Sequence, residues 1–204
     1  METNSKLPQW RREQIKDVVL SVLNNAKIGE LPIDIDMILH SHGWLSTTIK
    51  HAESCGVVLE GTGDGYTIVR RNEKGTQFMI VYDDTCYPSR IRWTKAHEIG
   101  HIVLGHLDDV KTKFDIEAEA NYFAREMLAP ISVLDELGAR TAAAIAQACN
   151  ISGEAARIRA NDFVRRDWYK SRHGNTENDK KFLRQFSHMF DVEFADEMIL
   201  EFAV

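Results

Sequence analysis

A change of hydrophobic period near residue 92 limits what this chain can fold into more than any other feature of its sequence. Before that point, glycines recur through residues 43–75 and separate two segments rich in β-branched and aromatic residues, 66–70 and 77–82. This pattern is typical of a small antiparallel sheet. From residue 92 to about 104, apolar residues recur with a helical period instead. The sequence therefore predicts a sheet followed closely by a helix.

Helical periods also occur on both sides of this transition. After Pro8, apolar residues fall at i, i+3, i+4 and i+7, and a later helix is expected to stop before Pro130. Asn150 can adopt a left-handed turn conformation, and Ser152 can cap the helix that follows it. The predicted helices cover residues 9–27, 32–40, 92–104, 114–128, 141–149 and 153–169.

The charge and the cysteine content of the chain indicate which partners and which cellular compartment to expect. The 25 Lys and Arg residues against 31 Asp and Glu residues leave a formal charge of -6, so no overall basic surface of the kind that dominates nucleic-acid affinity is present. Three cysteines without C-x-x-C spacing are typical of reduced thiols. The sequence shows no signal-peptide core and no apolar run long enough for a membrane span. We expect a cytoplasmic protein that does not contact membranes.

The segment His97-Glu98-Ile99-Gly100-His101 is an H-E-x-x-H motif within the predicted helix. Residues four apart lie on one helix face, so both imidazoles can bind one metal ion. Glu98 lies beside that face, where its carboxylate can act as general base towards a water whose pKa zinc lowers to about 7. His106 follows the expected helix end, and a capping or packing role is predicted for it.

A catalytic zinc ion takes three protein ligands, so a third donor must come from elsewhere in the chain. We predict Glu117, because Asn121 then follows one helical turn later and can orient a ligand imidazole through a hydrogen bond. Asp115 and Glu119 are the alternatives. Glu119 is rotated by about 200° from Glu117 on a helix, so we expect it to be a solvated charge with little effect on metal affinity.

These residues resemble the ImmA/IrrE-type metallopeptidases. Residues 92–106 read R-W-T-K-A-H-E-I-G-H-I-V-L-G-H and are similar to the family's R-F-T-x-A-H-E-L-G-H-x-x-L-G-H, with Trp93 and Lys95 as departures. Residues 117–130 resemble the family's E-x-x-x-N-x-F-A-x-x-L-L-x-P block, and residues 78–84 resemble the strand that leads towards its metal helix.

The resemblance covers about residues 31–163 and implies a compact, zincin-like α+β fold that binds Zn²⁺. It also implies cleavage of a helix-turn-helix transcriptional repressor from a mobile element or a stress regulon. We expect the catalytic domain in residues 1–130 and a helical C-terminal region in residues 131–204. That region comprises a helix-turn-helix-like part over 141–170 and an amphipathic tail over 181–204.

Three alternatives remain open at this stage. The helix-turn-helix-like part carries several arginines and could contact DNA, although interspersed acidic residues favour a structural or substrate-docking role. The chain could be a non-catalytic module that binds a repressor and holds a structural zinc, but such a module has no need of Glu98 as a base. It could also be a zinc hydrolase of small molecules.

We expect residues 77–82 to form an edge strand that binds an extended peptide.

Overall fold

The computed structural model describes residues 7–58, 63–73, 75–107 and 115–190. Its architecture is α+β, which confirms the predicted fold class. The described elements, in chain order, are α1 (Gln9–Asn25), α2 (Ile35–Ser41), β1 (Leu45–Thr48), α3 (Ile49–Ser54), β2 (Gly65–Asn72), β3 (Gly75–Tyr82), α4 (Pro88–Val103), α5 (Ile116–Leu128), α6 (Ile131–Glu136), α7 (Ala142–Cys149), α8 (Gly153–His173), α9 (Glu177–Gln185) and a short 3-10 helix (Ser187–Met189).

Local side-chain caps fix where several helices begin. The carboxylate of Asp115 accepts hydrogen bonds from the backbone N–H groups of Glu117 and Ala118 and so caps α5. Ser152 caps α8 as predicted, by accepting from Ala155 N. Asn150, with φ 51° and ψ 49°, adopts the left-handed conformation expected between α7 and α8. The expected start of α5 near residue 114 lies outside the described residues.

The sheet has three strands in the order β1-β3-β2. Strands β2 and β3 form the predicted antiparallel hairpin, whereas the short strand β1, which the sequence did not predict, pairs with β3 in parallel. The sheet is therefore mixed. Because β3 (Gly75–Tyr82) has a neighbour on each side, the prediction that it is an edge strand was wrong. Within the described residues, β2 pairs on one side only and is the edge strand nearest α4.

The main hydrophobic core joins α1, α2, β3, α4 and α5. It includes Ile15 of α1, Ile80 of β3, Ile99 of α4 and Phe123 of α5, all fully buried. Fully burying such a side chain contributes about 1.5–3 kcal/mol. Because this core holds α4 against the sheet and α5 against α4 and α1, it fixes the positions of the residues on their other faces.

A second core cluster joins α6, α7 and α8 and extends from Ala129 to Phe163. Phe182 and Phe186, at the end of α9, pack in the main core instead, so the chain returns to the first core after α8. The division into residues 1–130 and 131–204 stays a prediction, and residues 191–204 of the expected amphipathic tail lie outside the described residues. No helix in the described part of the chain has the length and apolar character of a membrane span.

Candidate metal centre

The candidate metal centre lies beside a close contact between α4 and α5. A Cβ atom on Gly100 would lie 3.1 Å from Phe123 Cδ1 and 3.2 Å from the Cα of Ala120, which is tighter than about nine in ten real contacts of this kind. Glycine at this position therefore lets the two helix backbones come close together. Gly100 directly precedes His101 on α4, and Ala120 follows Glu117 by three residues on α5, so the contact lies within one helical turn of these donors.

His97, His101 and Glu117 converge on one point. The Nε2 atoms of the two histidines lie 2.9 Å apart, and the carboxylate oxygens of Glu117 lie 3.3 Å from His97 Nε2 and 3.4 Å from His101 Nε2. Ligand atoms at the corners of a tetrahedral zinc site, each about 2.0–2.1 Å from the ion, lie about 3.3 Å from one another. The three donors therefore fit a zinc-sized ion, and the predicted residues are brought together.

Asn121 fixes the orientation of the first histidine. Its Oδ1 atom lies 3.1 Å from His97 Nδ1. An amide oxygen only accepts, so the Nδ1–H group of His97 donates and its Nε2 atom keeps the lone pair that a metal needs. The predicted contact between Asn121 and a ligand imidazole is therefore present.

A longer hydrogen-bond chain orients His101. Glu119 Oε2 lies 2.9 Å from His106 Nε2, and His106 Nδ1 lies 3.1 Å from His101 Nδ1. The carboxylate of Glu119 only accepts, so His106 donates from Nε2, and the Nδ1 atom of a neutral His106 accepts from His101 Nδ1–H. The lone pair of His101 Nε2 then faces the metal position. His106 thus has a packing role, as predicted, and also contacts His101.

Glu119 is not the solvated charge expected from the sequence. Its side chain and that of His106 are both 0% exposed, and Glu119 also accepts two hydrogen bonds from Arg11 of α1, at 2.6 Å and 2.9 Å. Burial alone would raise the pKa of Glu119, but the hydrogen bonds from Arg11 and His106 outweigh it and lower the pKa. The expectation was wrong because the face of α5 opposite Glu117 packs against α1 and not against water.

The environment keeps His101 in the form that binds metals. Burial lowers its pKa to about 4, with further lowering by the neighbouring His97 and His106. The imidazole is therefore neutral at physiological pH, and a neutral imidazole is the metal-binding form of histidine.

Glu98 lies beside the ligands and is held by the sheet. Thr67 Oγ1, on the edge strand β2, donates a hydrogen bond to Glu98 Oε2 at 2.7 Å. A Cβ atom on Gly65 would overlap Thr94 of α4, so glycine there lets β2 lie close to the metal helix. Burial raises the pKa of Glu98, and the hydrogen bond from Thr67 opposes that rise. Among the described residues, no hydrogen bond reaches the second carboxylate oxygen, Oε1, which can therefore take a proton.

The donors open onto a cleft of about 650 Å³ between β2 and the two metal helices. Its walls are formed by the segment from Gly63 to Thr67, by residues of α4 and by the first turns of α5. Arg90 and Asp64 form an ion pair on this wall. The cleft therefore lies beside the start of β2, which is an edge strand among the described residues, and an edge strand offers backbone hydrogen-bonding groups to a bound chain.

The remaining assignments from the sequence are resolved by these contacts. Asp115, an alternative third ligand, is engaged as the cap of α5. Lys95, a departure from the family pattern, pairs with Asp36 at 2.9 Å and does not enter the ligand set. Thr67 and Arg11 were missed, since they lie 31 and 108 residues from their partners Glu98 and Glu119 and no local signal links them. The metal and catalytic roles themselves stay predictions.

Comparison with protein families agrees with this geometry. The model of the IrrE N-terminal-like domain, Peptidase_M78, matches residues 57–161, just over half of the chain, and includes all three donors and Glu98. No curated protein matches the sequence. Peptidases of this family are typically metal-dependent, which agrees with a cluster able to hold an ion. The chain belongs to the IrrE N-terminal-like domain family of peptidases.

Proposed function

We propose that this chain is a zinc-dependent endopeptidase in which His97, His101 and Glu117 hold the ion. The observation that carries the proposal is the convergence of these donors, whose atoms lie 2.9–3.4 Å from one another, with Glu98 beside them. Two imidazoles and one carboxylate are a donor set of known catalytic zinc sites, in which a fourth position is left to water or substrate. When bound, zinc supplies a Lewis acid that polarises a carbonyl group and lowers the pKa of water.

Glu98 is proposed to move the proton in this reaction. Its carboxylate takes a proton from the attacking water and passes it to the amine of the leaving fragment. Thr67 holds Oε2 by a hydrogen bond, so the proton is carried on Oε1. Asn121 on one side and His106 on the other keep the ligand imidazoles in place while the proton moves.

The exposure of the third donor supports catalysis over a structural zinc. Structural zinc sites are closed by four protein ligands. Here the cluster found among the described residues has three members, and the side chain of Glu117 is 61% exposed to the cleft. A site that is open to solvent on one side leaves room for substrate.

The substrate is proposed to be an extended protein segment that lies along β2. A strand added to the free edge of β2 gains backbone hydrogen bonds, and its alternate side chains enter the cleft. The site then cuts exposed linkers in preference to folded domains. This arrangement favours a peptide over a small molecule. By family resemblance we propose a helix-turn-helix transcriptional repressor as the substrate, cut in the cytoplasm where such a repressor acts.

The test compares three proteins on the helix-turn-helix repressors encoded beside the gene. Wild type should release two repressor fragments, and Glu98→Gln should lower the rate about 10²–10⁴-fold while its zinc content stays at one ion per chain. Glu154→Gln, which removes an exposed carboxylate from the first turn of α8, is the matched control and should cut as wild type does. Fragment masses and zinc content are measured by mass spectrometry and elemental analysis.

Two results would overturn the proposal. Cleavage by Glu98→Gln at the wild-type rate would remove Glu98 from the mechanism. Release of the repressor from its operator by both proteins, without any cut, would identify a non-catalytic binding module. For the substrate model, prolines that flank the scissile bond should block cleavage where alanines do not, because proline removes a backbone donor.

A further inference from the structure

A second cavity, of about 340 Å³, lies away from the metal cleft and shares no lining residue with it. Helices α1, α5 and α8 and the segment that leads into α9 form its walls. A volume near 300 Å³ is at the lower limit of pockets that hold small organic ligands. The proposed peptidase mechanism makes no use of this cavity.

The lining of this cavity is rich in positive charge although the chain as a whole is acidic. Three carboxylates face it, Glu126, Asp162 and Asp179. Six cations face it as well. They are Arg12, Lys16, Arg159, Arg165, Arg166 and Lys170.

Five of these cations form ion pairs, some with carboxylates behind the lining. Asp162, for example, is shared by Arg125, Arg159 and Arg165. Arg12 is the exception: within the described part of the chain, no carboxylate oxygen lies within 4.0 Å of its guanidinium group. Its Nε atom is buried without a hydrogen-bond partner, and the group lies over the ring of Tyr122 at 5.6 Å.

Burying an unpaired guanidinium group, even partly, costs free energy unless an anion binds to it. Burial lowers the pKa of Arg12, the nearby positive charges of Arg165 and Arg125 lower it further, and Tyr122 and Asp162 offset only part of this lowering. Burial and the neighbouring positive charges make the charged form of Arg12 less stable in the ligand-free protein, and a bound negative charge would offset both. Arg12 and Arg165 line the same cavity and can both donate to one oxyanion.

We propose that this cavity binds a small organic ligand that carries a phosphate or carboxylate group, with Arg12 as its main anchor. The oxyanion accepts from Arg12 and Arg165. The cavity is larger than an inorganic oxyanion needs, and Trp168, which is 57% exposed, lines it together with Tyr169. These rings supply a surface for a flat apolar part of the ligand. Because α5 carries Tyr122 and Glu126 on this cavity and Glu117 at the metal centre, an occupant contacts the helix that holds the third donor.

The experiment uses probes that combine a ring with an anion. Phenyl phosphate, benzoate and neutral phenol are titrated into the full-length protein by calorimetry at constant ionic strength. Phenyl phosphate, benzoate or both should bind saturably, which distinguishes a phosphate ligand from a carboxylate ligand, and phenol should not. Arg12→Gln should weaken binding about tenfold or more, because one charge-assisted contact is lost. Arg157→Gln removes an exposed arginine of α8 that does not line the cavity and should bind as wild type does.

A variant without the two metal-binding histidines, His97→Ala/His101→Ala, separates this site from the metal centre. Its binding of the probes should equal that of wild type, and loss of binding there would assign the probes to the metal and overturn the proposal. Absence of saturable binding to wild type, or equal binding by Arg12→Gln, would also overturn it. If Arg12→Gln does not fold by circular dichroism, Arg165→Gln takes its place, and unchanged binding by that variant would count equally against the proposal.

Discussion

Replacing Glu119 by Gln removes one charge from the network that links α1 to the metal centre. Both carboxylate oxygens are engaged: Oε1 accepts from Arg11 Nε, and Oε2 accepts from Arg11 Nη2 and His106 Nε2. Glutamine has almost the same volume but only one acceptor oxygen, and its amide nitrogen only donates. At least one N–H group of Arg11 or His106 must therefore face another donor.

The size of the effect follows from burial. The side chain of Glu119 is 0% exposed and that of Arg11 is 22% exposed. Removing one partner of a buried ion pair costs about 3–5 kcal/mol, and partial solvation of Arg11 places the expected loss at the lower end, about 3 kcal/mol. For a protein of this size, each kcal/mol shifts Tm by about 2–4 °C, so Glu119→Gln should lower Tm by about 6–12 °C.

Two measurements separate the structural effect from the effect on the metal. Urea unfolding in EDTA reports the free energy of unfolding of the metal-free protein, where the loss should already be present. Competition with a chromophoric chelator reports zinc affinity, which should fall about 10–100-fold because His106 no longer holds His101. Glu154→Gln, at an exposed position, should change neither quantity.

Two results would contradict the roles assigned to Glu119. Equal urea midpoints for Glu119→Gln and Glu154→Gln in EDTA would show that the Arg11 contact does not stabilise the fold. Zinc affinity within about threefold of wild type would show that the chain through His106 does not orient His101. The second result would restore the expectation drawn from the sequence, in which Glu119 has little effect on the metal.

Three further predictions concern the two metal helices and the buried charges. Asn121→Ala should weaken zinc binding about 10–100-fold in chelator competition by freeing His97; unchanged affinity would contradict the orienting role. Gly100→Leu should separate α4 from α5, lower the free energy of unfolding measured in urea by at least about 1–3 kcal/mol, and weaken zinc binding. A urea midpoint equal to that of wild type would contradict the close contact. Burial would raise the pKa of Glu126, but the charge of Arg159 outweighs it and lowers the pKa to about 2, below the unfolded value of about 4.3. The stabilisation by Glu126 is therefore fully present above its pKa in the unfolded chain and is lost as pH falls towards 2. The urea midpoint should decline between about pH 5 and pH 2, and Glu126→Gln should flatten that decline.

Much of the metal centre was predictable because its parts are local. His97 and His101 share a helix face whatever the rest of the chain does, and so do Glu117 and Asn121. The cap at Ser152 and the turn at Asn150 also depend on neighbouring backbone groups alone. These features need only the geometry of one helix or one turn, and the structure agrees with each of them.

The sheet shows where local pattern stops being informative. The hairpin of β2 and β3 is made of adjacent segments and was predicted. Strand β1 has only four residues, and each of them pairs with a β3 residue 34 positions later in the chain. A short segment can add to a sheet in either direction, and only packing of the whole chain selects one. The identity of the edge strand, and hence the proposed path of the substrate, followed from that choice.

The sequence by itself determined the α+β class, the spacing of the metal donors and the position of Glu98 beside them, because these depend on the periods of single elements. Only the tertiary structure decided which strand faces the cleft, that Glu119 is buried against Arg11 and His106, and that Arg12 has no carboxylate partner among the residues that the structure describes. The physical reason is that the free energy of a charge depends on what surrounds it, and those surroundings come from residues far away along the chain.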